Sequence, residues 1–308
     1  MKAMVCTKYG SPDVLELTEV NKPVPMANEV LVRIRATSVA AMDVRIRSSD
    51  FPLLLWIPMR FLLGFRKPKK TILGVELSGI IEDVGKDVKR FKKGDEIMAY
   101  RGMNFGTYAE YTCLHEDGMV VMKPINSTYE EAAAFAFGGL SALYFLKKSN
   151  IQSGQRVLIY GASGAVGSSA VQLAKHFGTE VTGVTSTTNI DLVKSLGADL
   201  VVDYTTENFV NRNDRYDVIF DAVGKISKAR SSKVLAPNGT YVSVDGQGIA
   251  KVSTKDLHFL KELMEKGKLK SVIDRCYPLE QIPEAHRYAE TGRKKGNVAI
   301  TVGECRVT

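Results

Sequence analysis

The stretch Arg156-Val157-Leu158-Ile159-Tyr160-Gly161-Ala162-Ser163-Gly164-Ala165-Val166-Gly167 decides how this chain is read. An apolar run of strand length passes into small residues. A helical pattern then continues to Gly178, with Val166, Ala170, Leu173, Ala174 and Phe177 on one face. Strand, glycine turn and helix in that order are the setting that a dinucleotide fingerprint requires. Read so, Ala162 sits at the tight turn, Gly164 lets the backbone approach a pyrophosphate with no Cβ in the way, and Gly167 lets the helix pack closely on the strand. The start of the helix then offers free N–H groups and a positive dipole end to the phosphates.

The rhythm around this stretch supports a repeated strand–helix unit. Strands are expected over Arg156–Tyr160, Glu180–Thr185, Leu200–Asp203, Asp217–Asp221 and Thr240–Val244. Helices are expected over Ala165–Phe177, Asn189–Leu196 and Lys225–Leu235, and a longer one over Lys255–Lys266. This α/β alternation predicts a doubly wound parallel sheet with helices on both faces. Ahead of it, Glu130–Asn150 reads as a helical region broken at Gly138-Gly139. Residues 1–124 read instead as β-rich. Glu29–Ala36 alternates with period two, and short strands over Ile80–Gly85 and Asp95–Ala99 lie beside glycine turns. The tail, Val272–Val302, returns to mixed signals and ends on a strand, Asn297–Val302. The apolar segment Phe51–Phe65 is too short to span a bilayer and holds two prolines and Arg60. It reads as a buried loop or helix, as an apolar wall of a substrate pocket, or as a membrane-surface contact.

The chain has 308 residues, 44% of them hydrophobic, which suits one large domain or two ordinary ones with a self-sufficient core. Cys6, Cys113, Cys276 and Cys305 are scattered with no CxxC spacing, which argues against a disulfide framework or a structural zinc lobe. A reducing compartment, the cytoplasm, is expected, since the N-terminus shows no signal-peptide pattern. The net charge of +8 creates a field that attracts phosphates, but no Lys/Arg block is long enough to favour nucleic acid. The four histidines, His115, His176, His258 and His286, are isolated along the chain and read as ordinary surface or core residues.

Several motifs together resemble the medium-chain dehydrogenase/reductase superfamily, in its zinc-free quinone oxidoreductase-like branch. They are Gly74-Val75-Glu76-Leu77-Ser78-Gly79, Gly94-Asp95, Gly106-Thr107-Tyr108-Ala109-Glu110-Tyr111, Gly139-Leu140-Ser141-Ala142, the glycine fingerprint and Ser195-Leu196-Gly197-Ala198-Asp199. The resemblance implies a GroES-like β-rich catalytic domain over 1–124, a Rossmann NADP-binding domain over 125–267, and a return of 268–308 to the catalytic domain. It also implies an oxidoreductase that carries hydride from NADPH to a quinone or an α,β-unsaturated carbonyl. Positions that hold zinc in metal-dependent relatives match Ala40 and Val75, whose side chains cannot ligate, so no metal site is expected. Asp43 is the one weak catalytic candidate, with a loop-tethering role as its alternative.

The resemblance also carries cofactor contacts, and implies that Ser163, Gly164, Ala165, Val166 and Gly167 cradle the pyrophosphate. Ser141 matches a residue near the nicotinamide, and Asn297 matches one that reaches the cofactor from the tail. Ser186, Thr187 and Asn189, with Tyr204 and Val223, are the remaining candidates around the adenosine. An NAD enzyme shows an acid about 20 residues past the glycines. Here Thr185–Asn189 holds hydroxyls and an amide, which points to NADPH, with a modest preference because no cation stands there. Residues 245–254 are shorter than the corresponding region of relatives, so a stunted sixth strand and an altered homodimer contact are expected. The alternative readings are a metal-free alcohol dehydrogenase-like protein, or a non-catalytic NADPH- or RNA-binding relative with steeply salt-dependent RNA affinity.

Overall fold

The computed structural model of the chain describes residues 1–51, 53–247 and 249–303. Contacts divide it into two units, Met1–Phe137 with Ile273–Thr308, and Gly138–Val272.

The first unit begins with β1 (Lys2–Cys6) and β2 (Leu15–Glu19), an antiparallel pair. Next comes β3 (Glu29–Ser38), the centre of a seven-stranded sheet. The alternation expected over Glu29–Ala36 holds only in part: Val30, Leu31, Val32 and Ile34 are all buried and Arg33 faces solvent, so the strand is covered on more than one face. The link to the next strand carries two helices, α1 (Ala41–Ser48) and α2 (Leu53–Leu63). Then follow β4 (Glu76–Val84), β5 (Glu96–Tyr100), β6 (Tyr111–His115) and β7 (Val120–Met122). β3 pairs antiparallel with both β4 and β6, and β5 pairs with β4 and β7. Leu77, Ile81 and Ile97 join the β3 residues in one buried apolar cluster.

α3 (Tyr129–Lys148) leads into the second unit. There the chain runs β8 (Arg156–Tyr160), α4 (Ala165–His176), β9 (Glu180–Thr185), α5 (Ile190–Ser195), β10 (Leu200–Asp203), β11 (Tyr216–Asp221), α6 (Lys228–Ser231), β12 (Leu235–Ser243) and α7 (Thr254–Glu265). The five strands form one parallel sheet in the order β10-β9-β8-β11-β12. Val157, Leu158 and Ile159 are fully buried, as a strand covered on both faces requires. The order reverses between β8 and β11, the kind of switch point at which open α/β sheets bind ligands. The tail then rejoins the first sheet through β13 (Ile273–Pro278), α8 (Ile282–Glu290) and β14 (Asn297–Thr301). There β14 lies antiparallel to β3 and parallel to β13.

Three sequence expectations need correction. α3 is unbroken at Gly138-Gly139. A Cβ on Gly138 would lie 2.7 Å from the Ala165 carbonyl oxygen, so the glycine serves close approach of α3 to the head of α4 and does not end a helix. The helix expected over Lys225–Leu235 shrinks to Lys228–Ser231. The buried Asp221 carboxylate captures the N–H groups of Val223, Gly224 and Ile226, which coils the chain into a loop. Ser227 then caps a single helical turn through the Arg230 N–H. The third concerns the sheet edge. No sixth strand occurs among the described residues, so β12 ends the sheet where a stunted strand was expected over Ile249–Val252. Gly248 and Cys305 lie outside the described residues.

Candidate active site

The glycine turn after β8 is built by steric necessity at two of its positions and left open at a third. Gly161 has φ +77°, and a Cβ there would meet the Val223 side chain at 2.6 Å. The left-handed residue of the turn is thus Gly161, one place before Ala162, which is buried with its methyl toward Gly183 of β9. A Cβ on Gly167 would fall 2.0 Å from the Gly161 carbonyl oxygen, so only glycine lets α4 sit on the turn. Gly164 differs. It caps α4 in an extended conformation, and its nearest neighbour to an added Cβ is the Gly161 carbonyl oxygen at 3.5 Å, an ordinary contact. Nothing inside this chain requires a glycine at 164, whereas a backbone-approaching phosphate would.

Beside the turn, the predicted polar residues converge. The Ser163 hydroxyl accepts from the Thr185 hydroxyl at 2.9 Å and from the Asn189 amide at 3.2 Å. The same Asn189 amide donates to Ser186 at 3.1 Å. The Asn189 side-chain carbonyl oxygen is buried and has no partner among the described residues, an orphan acceptor that a ribose hydroxyl would satisfy. The Thr187 hydroxyl donates to Asp203 at 2.5 Å and lies 2.9 Å from the Thr205 hydroxyl. Hydrogen bonds from Thr187 and Thr205 hold the Asp203 carboxyl below its ordinary range. Sequence reasoning missed Asp203, because it closes β10 and reaches this loop only through the parallel pairing of β10 with β9. Tyr204 is half exposed and borders a groove of about 420 Å³ with Tyr160, Phe209 and Arg230. Val223 lies against Gly161, at the start of the loop organised by Asp221, another residue no motif pointed to. Ser141 stands on α3, one turn beyond Gly138. Asn297 is buried at the start of β14, in the other unit.

In the first unit, Asp43 is fully buried. Its carboxylate accepts the Ala40 and Gly74 N–H groups, each at 3.0 Å, with the Tyr108 hydroxyl as a third partner. Burial pushes the carboxyl up to about 7 against those hydrogen bonds. Both oxygens are thus spent tying the start of α1 to the residue before Val75. Replacing Asp43 by Asn should therefore destabilise the fold by about 1–3 kcal/mol, because an amide N–H₂ would face one of the two buried N–H donors. Equilibrium urea unfolding checks this, and an unchanged midpoint would remove the tethering role.

Ala40 and Val75 are buried and apolar. Among the described residues, no three His, Cys, Asp or Glu side chains gather as metal ligands. A residue the motif reading left without a role, Glu76, is 1% exposed at the head of β4. It accepts from the Ser38 hydroxyl and the Phe137 N–H, and burial raises its carboxyl to about 8. Lys294 is lowered to about 8 by burial, with the charge of Glu76 opposing that shift. The Thr37 hydroxyl donates to the Glu76 carbonyl oxygen at 2.6 Å and lies 2.7 Å from the Thr107 hydroxyl. The available signal for Glu76 was an acid inside the otherwise small and apolar Val75–Gly79. His286 is buried against the Tyr108 hydroxyl at 3.2 Å, and burial keeps it neutral, down at about 3.

Comparison with known proteins places this geometry. The family described as "Alcohol dehydrogenase GroES-like domain" matches residues 26–124, and that described as "Zinc-binding dehydrogenase" matches residues 165–273. The chain is 38% identical to a 2-methylene-furan-3-one reductase of Solanum lycopersicum, over 97% of this chain and 79% of that one. It is 34% identical to a chloroplastic NADPH-dependent alkenal/one oxidoreductase of Arabidopsis thaliana, with the same coverage. Among solved structures, the quinone oxidoreductase of Coxiella burnetii superposes with a TM-score of 0.88 at 28% identity, covering 98% of this chain and 99% of that one. With the parallel sheet, the glycine turn and the β-rich first unit, these matches show that the chain belongs to the medium-chain dehydrogenase/reductase superfamily of oxidoreductases, in its quinone oxidoreductase-like branch.

Proposed function

We propose that this chain reduces the conjugated double bond of an α,β-unsaturated carbonyl, or a quinone, with NADPH and without zinc. The observation that carries the reading is the glycine turn, closed sterically at Gly161 and Gly167 and left open at Gly164. When bound, the nicotinamide supplies a hydride. The residues that would hold the cofactor are Ser163 to Gly167 at the pyrophosphate, Ser186, Thr187, Asn189, Tyr204 and Val223 around the adenosine, and Ser141 and Asn297 toward the nicotinamide. Zinc independence rests on the apolar pair Ala40 and Val75. Asp43 acts as a tether, since both its oxygens are engaged, and the proton can come from solvent once an enolate or hydroquinone anion has formed. NADPH oxidation measured against a panel of quinones, enones, aldehydes and simple ketones tests the assignment, and turnover of no member would leave the non-catalytic alternative.

NADPH is expected over NADH by roughly tenfold, the low end of what one charge-assisted hydrogen bond of about 1.5–3 kcal/mol supplies. The hydroxyl of Ser186 can donate to a 2′-phosphate, but Thr187 is already committed to Asp203, and the free acceptor of Asn189 suits a hydroxyl better. Calorimetric titration with both cofactors checks this; equal or tighter NADH binding is the contrary result.

A further inference from the structure

The core of the first unit takes up only part of the segment Phe51–Phe65, and the reaction gives the rest no role. α2 turns Met59 and Leu63, one helical turn apart, toward the core of the first unit. The opposite side presents Ile57 and Phe61, at 65% and 72% exposure, with Leu62 at 60% on its flank, and Phe65 just past the helix end adds 62%; Trp56, at 39%, lies at the edge of the core-facing side. The Phe61 and Phe65 rings meet edge to face at 5.7 Å. So much contiguous apolar surface on one short helix marks a contact surface. Immediately beyond it, Arg66, Lys67, Lys69 and Lys70 are all exposed. Lys69 reaches back to the Phe61 carbonyl at 3.0 Å, which keeps the basic run against the apolar face. Arg60 stacks on the Tyr9 ring at 3.9 Å and on the Trp56 ring at 4.9 Å, and donates to the Phe65 carbonyl at 2.7 Å, so helix and basic turn are held together.

We infer that α2 and the basic turn after it form a docking surface for an anionic lipid bilayer. The helix lies in the interface with Ile57, Phe61, Leu62 and Phe65 among the acyl chains, and the cations at the level of the headgroups. Aromatic and aliphatic side chains beside a cluster of Lys and Arg are the composition of an interfacial helix, and 11 residues are too few to cross a bilayer. Charge decides against a second copy of this chain. A two-fold contact through the apolar face would bring two sets of four cations together, whereas an anionic surface neutralises them. The inference is independent of the reaction proposed above.

The chain holds one tryptophan, Trp56, on α2 at the edge of this surface, so its fluorescence reports the helix and no other part of the chain. With the full chain, vesicles of phosphatidylcholine containing about one-third phosphatidylglycerol should shift Trp56 emission to the blue and co-sediment the protein. Pure phosphatidylcholine vesicles should do neither, and high salt should release the protein. Phe61→Glu and the pair Lys67→Glu with Lys70→Glu should each lower partitioning at least about tenfold, since each basic residue near the surface contributes roughly fivefold. Circular dichroism and thermal unfolding should be unchanged in both, because all three side chains are exposed. Absence of binding, or equal binding to neutral vesicles, would overturn the inference. So would concentration-dependent self-association that Phe61→Glu abolishes while vesicles leave Trp56 emission unmoved.

Discussion

Gly164→Val should lower NADPH affinity about a hundredfold while leaving the melting temperature of the free protein nearly unchanged. The isolated chain tolerates a side chain there: the backbone is already extended, and the nearest atom to an added Cβ is 3.5 Å away. A bound pyrophosphate does not tolerate it, because branched carbons at the cap of α4 hold the phosphate off the N–H groups of the first helical turn. Losing one charge-assisted hydrogen bond of about 1.5–3 kcal/mol corresponds to roughly ten- to more than a hundredfold in affinity. Gly167→Ala is the internal control, with the opposite signature. Its Cβ would fall 2.0 Å from the Gly161 carbonyl oxygen, so α4 must shift, and a loss of about 3 kcal/mol of stability or more is expected. Cofactor fluorescence titration and urea unfolding on both variants separate the effects. If Gly164→Val bound NADPH as tightly as the unaltered chain, the turn would not be a dinucleotide cradle.

The second large effect is in substrate choice: kcat/KM for an enone or quinone should exceed that for a saturated ketone of similar size by at least about a hundredfold. Hydride addition leaves negative charge on the carbonyl oxygen. A saturated ketone concentrates that charge as an alkoxide, and a metal ion is the usual means of stabilising it. Ala40 and Val75 offer no donor in the matching positions. In an enone or quinone the charge is delocalised, so one well-placed N–H or O–H donor, worth about 2.7–4 kcal/mol, suffices. Steady-state NADPH oxidation with matched pairs of saturated and unsaturated ketones measures the ratio. A ratio near one, or zinc-independent turnover of a simple alcohol above any enone, would overturn the assignment.

What could be read in advance follows the range of the forces involved. Arg156–Tyr160, Glu180–Thr185 and Leu200–Asp203 were legible to the residue, since a buried parallel strand is a short apolar run bounded by turn residues. The grouping of Ser163, Ser186 and Asn189 was legible too, because two adjacent parallel strands must deliver the loops that follow them to one edge of the sheet. Asp203 belongs to the same edge, but its role depends on the pairing of β10 with β9 and on the hydroxyl it meets there. Glu76 was visible as an acid in an apolar strand; its partners, Ser38 and Phe137, come from a neighbouring strand and from a helix 61 residues away in sequence.

By itself, then, the sequence determined the periodicities, and through them the β-rich first part, the strand–helix alternation, the glycine turn and the absence of ligating side chains at positions 40 and 75. Those are local matters of backbone sterics and of which side chains are apolar. Only the tertiary structure decided why Gly138 sits unbroken inside α3, why α6 is a single turn, that the described sheet stops at β12, and that α2 turns Ile57 and Phe61 outward. Each depends on which distant group arrives at a given place: the Ala165 carbonyl against Gly138, the Asp221 carboxylate under the loop after β11, the core that takes Met59 and Leu63. Local pattern states what a residue can do, and the packing partner brought by the fold decides which of those things it does.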